Sequence, residues 1–325
     1  MLKFSKEQAA AVIANRRAFN VKQRELAANG LLGNATSLPK DVWGQWDREA
    51  ITVARSVLAV FDDLSNSVAM TLPIGKSLSY YQTASDSGSA TVTMDGRDDG
   101  RSDQPTLDYH GTPVPVVRSK FSFGWRQMAA AESEGFNIDV TARDNAFRKV
   151  AESLEDGALN GYAGISVNGQ ASYGLRTHPN RNTRATGATL NGASGADWVT
   201  EIVATLKANH AANFRDQATL YLNWDDWFYA QSTDFKANGD KTIGQRVLEI
   251  AGVGGVVPSN SVPANEILAV VKRRDVVQVL NAMPITTLPR FRANPDDDYV
   301  FMTQAIAAVQ IKADAKGQCG VAHSA

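Results

Sequence analysis

Four histidines, one cysteine and two short acidic runs are the side chains here with the means to do chemistry. His110, His178, His210 and His323 lie far apart, and none has an HxxxH or HExxH partner. With Cys319 as the single cysteine, the sequence offers no zinc-ligand set of the usual spacing. The histidines therefore read as ordinary polar residues. Asp225 and Asp226 are paired carboxylates, the type that acid–base chemistry uses. They directly follow Asn223, however, where a first helical turn favours acidic residues at the positive end of its dipole. Asp296, Asp297 and Asp298 after Pro295 offer clustered oxygens to a divalent cation, or a solvated turn before a strand. The run GVGGVVP at 252–258 is glycine-rich but lacks the Lys-Ser/Thr ending of a phosphate loop. It also follows a predicted helix instead of opening one, so helix termination and a turn account for it. There is no GxSxG motif, and no Ser or Cys has a base nearby in sequence. These residues predict no catalytic site, no cofactor and no metal centre.

The elements that would position any site start from a chain of 325 residues, 43% hydrophobic, enough for one large domain or two ordinary ones. A net charge of −1 gives no global pull toward nucleic acid. A single cysteine forbids an intrachain disulfide and suits a reducing compartment. No apolar run approaches the ~18 residues of a membrane span, and the N-terminus MLKFSKEQAAAVIANRR is charged throughout, unlike a secretory signal. The expectation is a soluble protein, cytoplasmic at synthesis, with no membrane partner.

Charge is unevenly placed. Residues 1–30 carry six basic against two acidic residues (+4), and residues 80–110 carry two basic against six acidic (−4). Arg16 and Arg17 on the first segment, and Arg97, Asp98, Asp99 and Arg101 on the second, are the candidate subunit contacts. Opposite charges could steer one copy onto another, or both segments are simply solvated.

Periodicity predicts a helix over 5–29, capped by Ser5 and stopped at Gly30, with a thin Ala-rich face. After the connector GLLGNATSLPKD, Trp43 and Trp46 precede a second helix over 46–64 with a broad apolar face. From Pro73 the sequence makes a long polar excursion with strand-like ends and a Gly/Ser/Asp centre. Its return leg VVRSKFSFGW alternates Phe121, Phe123 and Trp125 with small residues, marking a half-buried strand. Pro105, Pro113 and Pro115 suit an edge or an extended arm. The best-defined helix runs from about Val140 to Leu159, with Asp139 to cap it and Gly161 to end it. Beyond Gly164, GADWVTEIVATLKANH reads as a helix capped by Asp197, and ATLYLN as a strand. Asn223 caps a helix through WDDWFYAQ, and Thr242 caps TIGQRVLEIAG, stopped by Gly252. ILAVVK and VVQVL are buried strands or short helical runs, and YVFMTQAIAAVQIKA is a strand or strand pair.

This order of parts, with FSFGWRQM leading into the long helix and then LEDGALNG and YGLRTHPN, resembles the major capsid proteins of tailed phages. Their fold is named after phage Hong Kong 97, and the encapsulin shell proteins are similar. The resemblance implies an α+β fold with an N-terminal arm (1–38) and a peripheral domain with spine helix (39–73, 121–162 and 299–325). It further implies an extended β loop (74–120) overlapping a neighbouring subunit and a mixed α/β axial domain (163–298). The implied function is a non-enzymatic phage-head shell protein, self-assembling as hexamers and pentamers around packaged DNA held by non-specific contact. Cement, scaffold and portal proteins are the further implied partners, and the virion capsid, assembled in the host bacterial cytoplasm, is the implied location. An encapsulin enclosing an enzyme cargo is the alternative, and an α/β-domain enzyme a distant one. Some capsid proteins of this fold join subunits through a loop lysine and a neighbour's asparagine. Here no lysine lies between Lys76 and Lys120, so the loop tip cannot supply that nucleophile.

Overall fold

The computed structural model describes residues 17–18, 20–21, 58–88, 90, 92–95, 104–134, 139–236, 239 and 241–325, with backbone alone over 130–134 and 139–141. Most of the predicted 5–29 helix lies outside these residues, as do the connector, Trp43, Trp46, the start of the 46–64 helix and the side chain of Asp139, the expected cap. Residues 17, 18, 20 and 21 are helical and exposed.

In chain order, α1 (Val60–Val68) leads into β1 (Ala69–Thr71). The polar excursion is bounded by β2 (Leu78–Ala84) and β3 (Leu107–Pro113), and its return leg is β4 (Val116–Phe123). Helices α2 (Trp125–Glu134) and α3 (Asp139–Asn160) follow, then the short strands β5 (Ser166–Val167), β6 (Gln170–Ala171) and β7 (Asn182–Arg184). Next come α4 (Gly195–Ala211), β8 (Ala218–Leu222), α5 (Trp224–Ser232), α6 (Ile243–Leu248) and β9 (Val253–Pro258). The chain closes with β10 (Ile267–Val270), β11 (Val277–Pro289), β12 (Tyr299–Ile311) and β13 (Val321–Ser324). One sheet has the order β1-β11-β12-β4 and another the order β7-β13-β10-β8-β9.

The described residues fall into two compact units. The smaller includes Arg118–Val150 and Ile285–Ala305. Its aromatic centre confirms the two-residue period of the return leg: Phe121 stacks on Phe301 at 5.2 Å, and Phe123 meets both rings edge-on. Thr287 and Thr303 share a buried hydroxyl–hydroxyl hydrogen bond of 2.9 Å.

The larger unit comprises Val57–Val117, Ala151–Pro284 and Ile306–Ala325. Strands β8 and β10 are buried at every position, which is why ATLYL and ILAV read as continuous apolar runs without alternation. Trp198, Ile202 and Leu206 of α4 are buried, and the Trp198 indole N–H is satisfied by Leu190 O at 2.9 Å. Strands β2 and β3 pair antiparallel over seven residues each, from Leu78↔Pro113 to Ala84↔Leu107. The Asn168-Gly169 turn between β5 and β6 has both residues at positive φ (52° and 75°), the signature of a tight hairpin.

Asn223 caps α5 by accepting the Asp225 amide, and Thr242 forms a full capping box with Gln245 on α6, both as expected. The cap of α4 differs from expectation. Ser194, not Asp197, is the N-cap, and Asp197 sits three residues in, where its amide reaches Ser194 Oγ and its carboxylate accepts the same hydroxyl. The GVGGVVP run also differs. Only Gly252 (φ 101°) turns; the rest is β9, paired parallel with β8. Glycine weakens a strand, but a buried neighbour supplies the ladder that local propensity does not.

Candidate functional site

The last turn of α3 leaves carbonyls without helical partners, and the segment YGLRTHPN supplies them. Leu175 N–H donates to Ala158 O at 3.0 Å, Arg176 N–H to Leu159 O at 2.8 Å, and Thr177 Oγ1 to Asn160 O at 2.9 Å. Glycine is required where the two backbones touch. Gly161 has φ 71°, and a Cβ on Gly174 would lie 2.4 Å from Gly161 N and 2.5 Å from Leu159 O. Tyr162 folds back over Gly157 and donates to Ser153 O at 3.2 Å; burial and the nearby Asp156 push its phenol up to about 12. This is the physical content of the LEDGALNG and YGLRTHPN pieces.

Once anchored, this segment gathers a polar cluster. Arg176 grips Glu266 through two bonds of 2.7 Å and donates to Asn160 Oδ1 at 2.6 Å. The oxygen that accepts from Arg176 Nε, Glu266 Oε2, also meets His323 Nε2 at 3.0 Å. Arg181 Nε donates to His323 Nδ1 at 3.3 Å, and its Nη1 to His178 O at 2.9 Å. Burial alone would raise Glu266, but hydrogen bonds from Arg176 and His323 hold it below the usual carboxylate range. His323 is lowered, chiefly by burial and against the pull of Glu266.

Beside it, Tyr81, His110, Thr112, Gln170, His178 and Ile311 are among the residues lining a cavity of about 120 Å³. Gly111 N–H donates to Gln170 Oε1 at 3.2 Å, and Ala313 N–H to Tyr81 Oη at 3.3 Å. His178 Nδ1 accepts the Asn180 amide at 3.3 Å, and burial, with Arg181 and His110 adding, depresses its imidazole to about 4. A third cluster surrounds Glu155, fully buried, which accepts Val60 N–H and Phe61 N–H at 2.9 Å each and Ser259 Oγ at 3.1 Å. Burial still raises its carboxyl, because these hydrogen bonds do not fully replace water.

The residues weighed from sequence are thus distributed as follows. His110 and His178 come to one cavity, His323 joins the Glu266 cluster, and His210 is exposed in the last turn of α4. Asp225 is exposed and Asp226 is buried, accepting the Asn265 amide at 2.7 Å, a positioning role. Asp297 accepts the Ala293 and Asn294 amides at 3.0 and 2.7 Å, which makes the acidic run the expected turn before β12. Cys319 is buried and its thiol raised by burial, the opposite of an activated thiolate. Among the described residues, no three His, Cys, Asp or Glu side chains converge as a metal-ligand set, and no helix is long and apolar enough to cross a membrane. Of the candidate subunit contacts, Arg17 is exposed, while Arg16, Arg97, Asp98, Asp99 and Arg101 lie outside the described residues. Glu266, Arg176 and Glu155 were not anticipated; the Arg176–Glu266, His323–Glu266 and Glu155–Ser259 contacts join residues 57 to 104 positions apart, beyond any local pattern.

The fold these elements build is that of phage capsid proteins, the Hong Kong 97-type α+β fold. The capsid of Myoviridae phage XM1 superposes with a TM-score of 0.64 at 13% identity, covering 82% of this chain and 91% of that one. A virus-like particle from Pyrococcus furiosus gives 0.58 at 12% identity over 86% and 97% of the two chains. A chain of Mycobacterium phage Cain gives 0.58 at 11% identity over 80% and 88%. No curated protein matches the sequence. A family model described as a family of unknown function (DUF6260) matches residues 33–324, and the chain belongs to that family.

Proposed function

We propose that this chain is a major shell protein, many copies of which assemble into an icosahedral head enclosing phage DNA. The observation that carries this is the likeness to the XM1 capsid over 82% of this chain and 91% of that one. The domain map that goes with it has an arm at 1–38, a peripheral domain at 39–73, 121–162 and 299–325, an overlapping loop at 74–120 and an axial domain at 163–298. The role is structural. Among the described residues, the buried carboxylates Glu155 and Asp226 accept backbone amides and so position the chain.

Hexamers and pentamers of the chain itself are the primary contacts, with Arg16 and Arg17 of one copy facing the acidic stretch around Arg97, Asp98, Asp99 and Arg101 of another. DNA is held non-specifically. Portal, scaffold and cement proteins are the remaining partners, and assembly takes place in the bacterial cytoplasm before the head becomes part of the virion. Subunits overlap without covalent joining, since the loop tip has no lysine; a ladder of covalent multimers on a denaturing gel would sink that point.

Electron microscopy of the purified chain with its absorbance ratio tests the whole reading. Closed uniform shells containing nucleic acid support a phage head. Small shells carrying protein cargo would favour the encapsulin alternative, which the Pyrococcus furiosus particle motivates by matching over 97% of its own length. A dispersed monomer that no scaffold partner assembles would overturn both and reopen the enzyme alternative.

A further inference from the structure

The bonding around His323 admits one protonation state. Its Nδ1 accepts from Arg181 Nε, so Nδ1 carries no hydrogen and the ring is neutral, with its proton on Nε2 directed at Glu266. Every charged group facing the ring is accounted for. From the segment before β7 come Arg176 and Arg181, and from the residue before β10 comes Glu266; α4, which also packs on β13, meets it at Ser324 through Thr205, and its Glu201 is paired with Arg184. The adjoining β7 and β10 place Thr183 and Leu268 opposite His323 in the ladder, and neither carries charge. The site already holds two guanidinium groups against one carboxylate, and both oxygens of that carboxylate already accept from Arg176. His323 is 7% exposed, so a second net positive charge would have little access to water.

A proton added at Nδ1 would turn an acceptor into a donor pointed at another donor. Arg181 would lose that bond, and the ring would have to leave Arg181 or the pocket. His323 lies in β13, the last strand, whose neighbours in the sheet are β7 and β10. Among the described strands β7 pairs with β13 alone and forms the sheet's edge, so its ladder depends on β13, while Asn182 and Arg184 tie its side chains to Asn209 and Glu201 of α4.

We propose that His323 is a proton-operated latch: while neutral it holds the C-terminal strand and the edge strand β7 in the sheet, and acidification releases these two strands ahead of the rest. The latch is a property of the single folded chain and does not depend on the shell reading. His178, in the same segment, accepts the Asn180 amide and is depressed to about 4, below both pH values of the test that follows.

Hydrogen exchange read by mass spectrometry on the full chain at pH 7.5 and 5.5, corrected for intrinsic rates, tests this. The expected result is at least a tenfold loss of protection at 321–324 and 182–184 at the lower pH, with β8 and β10 unchanged. His323→Gln keeps a donor for Glu266 but cannot take a charge, and its protection should be the same at both pH values. Arg181→Gln removes the opposing donor, so acid should then fail to release the strands, which keeps the test intact if the His323→Gln variant does not fold. Equal protection of wild type at both pH values would overturn the proposal. So would loss spread evenly across the sheet, or an unchanged pH response in Arg181→Gln.

Discussion

Replacing Gly174 by alanine should cost far more than the loss of one hydrogen atom suggests. The new Cβ would lie 2.4 Å from Gly161 N and 2.5 Å from both Leu159 C and Leu159 O, all backbone atoms of a capped helix end that cannot rotate away. To make room, the 174–177 segment must lift, and three bonds go with it: Leu175 to Ala158, Arg176 to Leu159 and Thr177 to Asn160. At about 1 kcal/mol net each, with roughly 1–3 kcal/mol for overpacking that is only partly relieved, the expected loss is about 4–6 kcal/mol. Gly164→Ala is the contrasting control. It sits at positive φ (84°), which Gly174 does not, and nothing lies within 4 Å of its Cβ position, so only the backbone penalty of about 1–2 kcal/mol applies. Urea unfolding of the unassembled chain, followed through tryptophan fluorescence, compares the two, because Trp198 is fully buried in the same compact unit. Equal losses for both variants would refute the argument, since the close contacts at Gly174 would then cost no more than backbone strain alone. So would a Gly174→Ala midpoint within about 1 kcal/mol of wild type at unchanged m.

Glu155→Ala strands the amides of Val60 and Phe61 and the Ser259 hydroxyl, and should cost roughly 3–5 kcal/mol in the same urea assay, with Glu155→Gln intermediate. Thr303→Val leaves the buried Thr287 hydroxyl without its partner and should cost about 1–3 kcal/mol, whereas the double variant Thr287→Val with Thr303→Val should cost less than the two singles summed. His178 is depressed to about 4 from an ordinary 6.5, so the unfolded chain takes its proton first. Stability is complete above pH 6.5, falls as pH drops toward 4 and then levels, by up to about 3 kcal/mol; urea midpoints against pH should show that fall, and His178→Asn should flatten it. If the oppositely charged arms steer assembly, light-scattering rates should fall several-fold or more between 0.05 and 0.5 M salt as screening shortens to roughly a few ångströms, and a flat salt response would remove the arms from that role.

Much of the fold was legible because it rests on local chemistry. Asn223 and Thr242 announce helix starts by side-chain capping, Phe121 and Phe123 announce a strand by alternation, and Gly161 stops the long helix where its positive φ is needed. The misreadings share a cause. In Ser194-Gly-Ala-Asp197 either polar residue could cap, and the choice depends on which one sits outside the helix. Helix α2, WRQMAAAESE, was not predicted, because the run has no apolar stripe of its own. Strand β13, VAHS, is too short and too polar to announce itself; it is buried because Thr205, Glu266 and Arg181 receive its polar side chains. The polar cluster was equally hidden. Nothing in the vicinity of Glu266 marks it as the residue that meets Arg176 and His323.

These non-local polar contacts also bear on why a shell subunit would hold so many of them. Glu155 ties α1 to the stretch after β9, Asp63 accepts from Tyr221 at 2.7 Å and from Lys272 at 3.0 Å, and Gln310 reaches Ser79 O at 3.1 Å and Thr112 Oγ1 at 3.3 Å. Apolar burial could supply comparable stability at each place, and often more. It could not supply direction. A hydrophobic contact tolerates a shift of an ångström, whereas a carboxylate that must meet two backbone amides and a hydroxyl does not. A chain that works alone can absorb such a shift, but one repeated around a closed surface adds the same error at every contact until the surface fails to close. Polar ties across long stretches of sequence are therefore suited to a subunit whose first requirement is that every copy have the same shape.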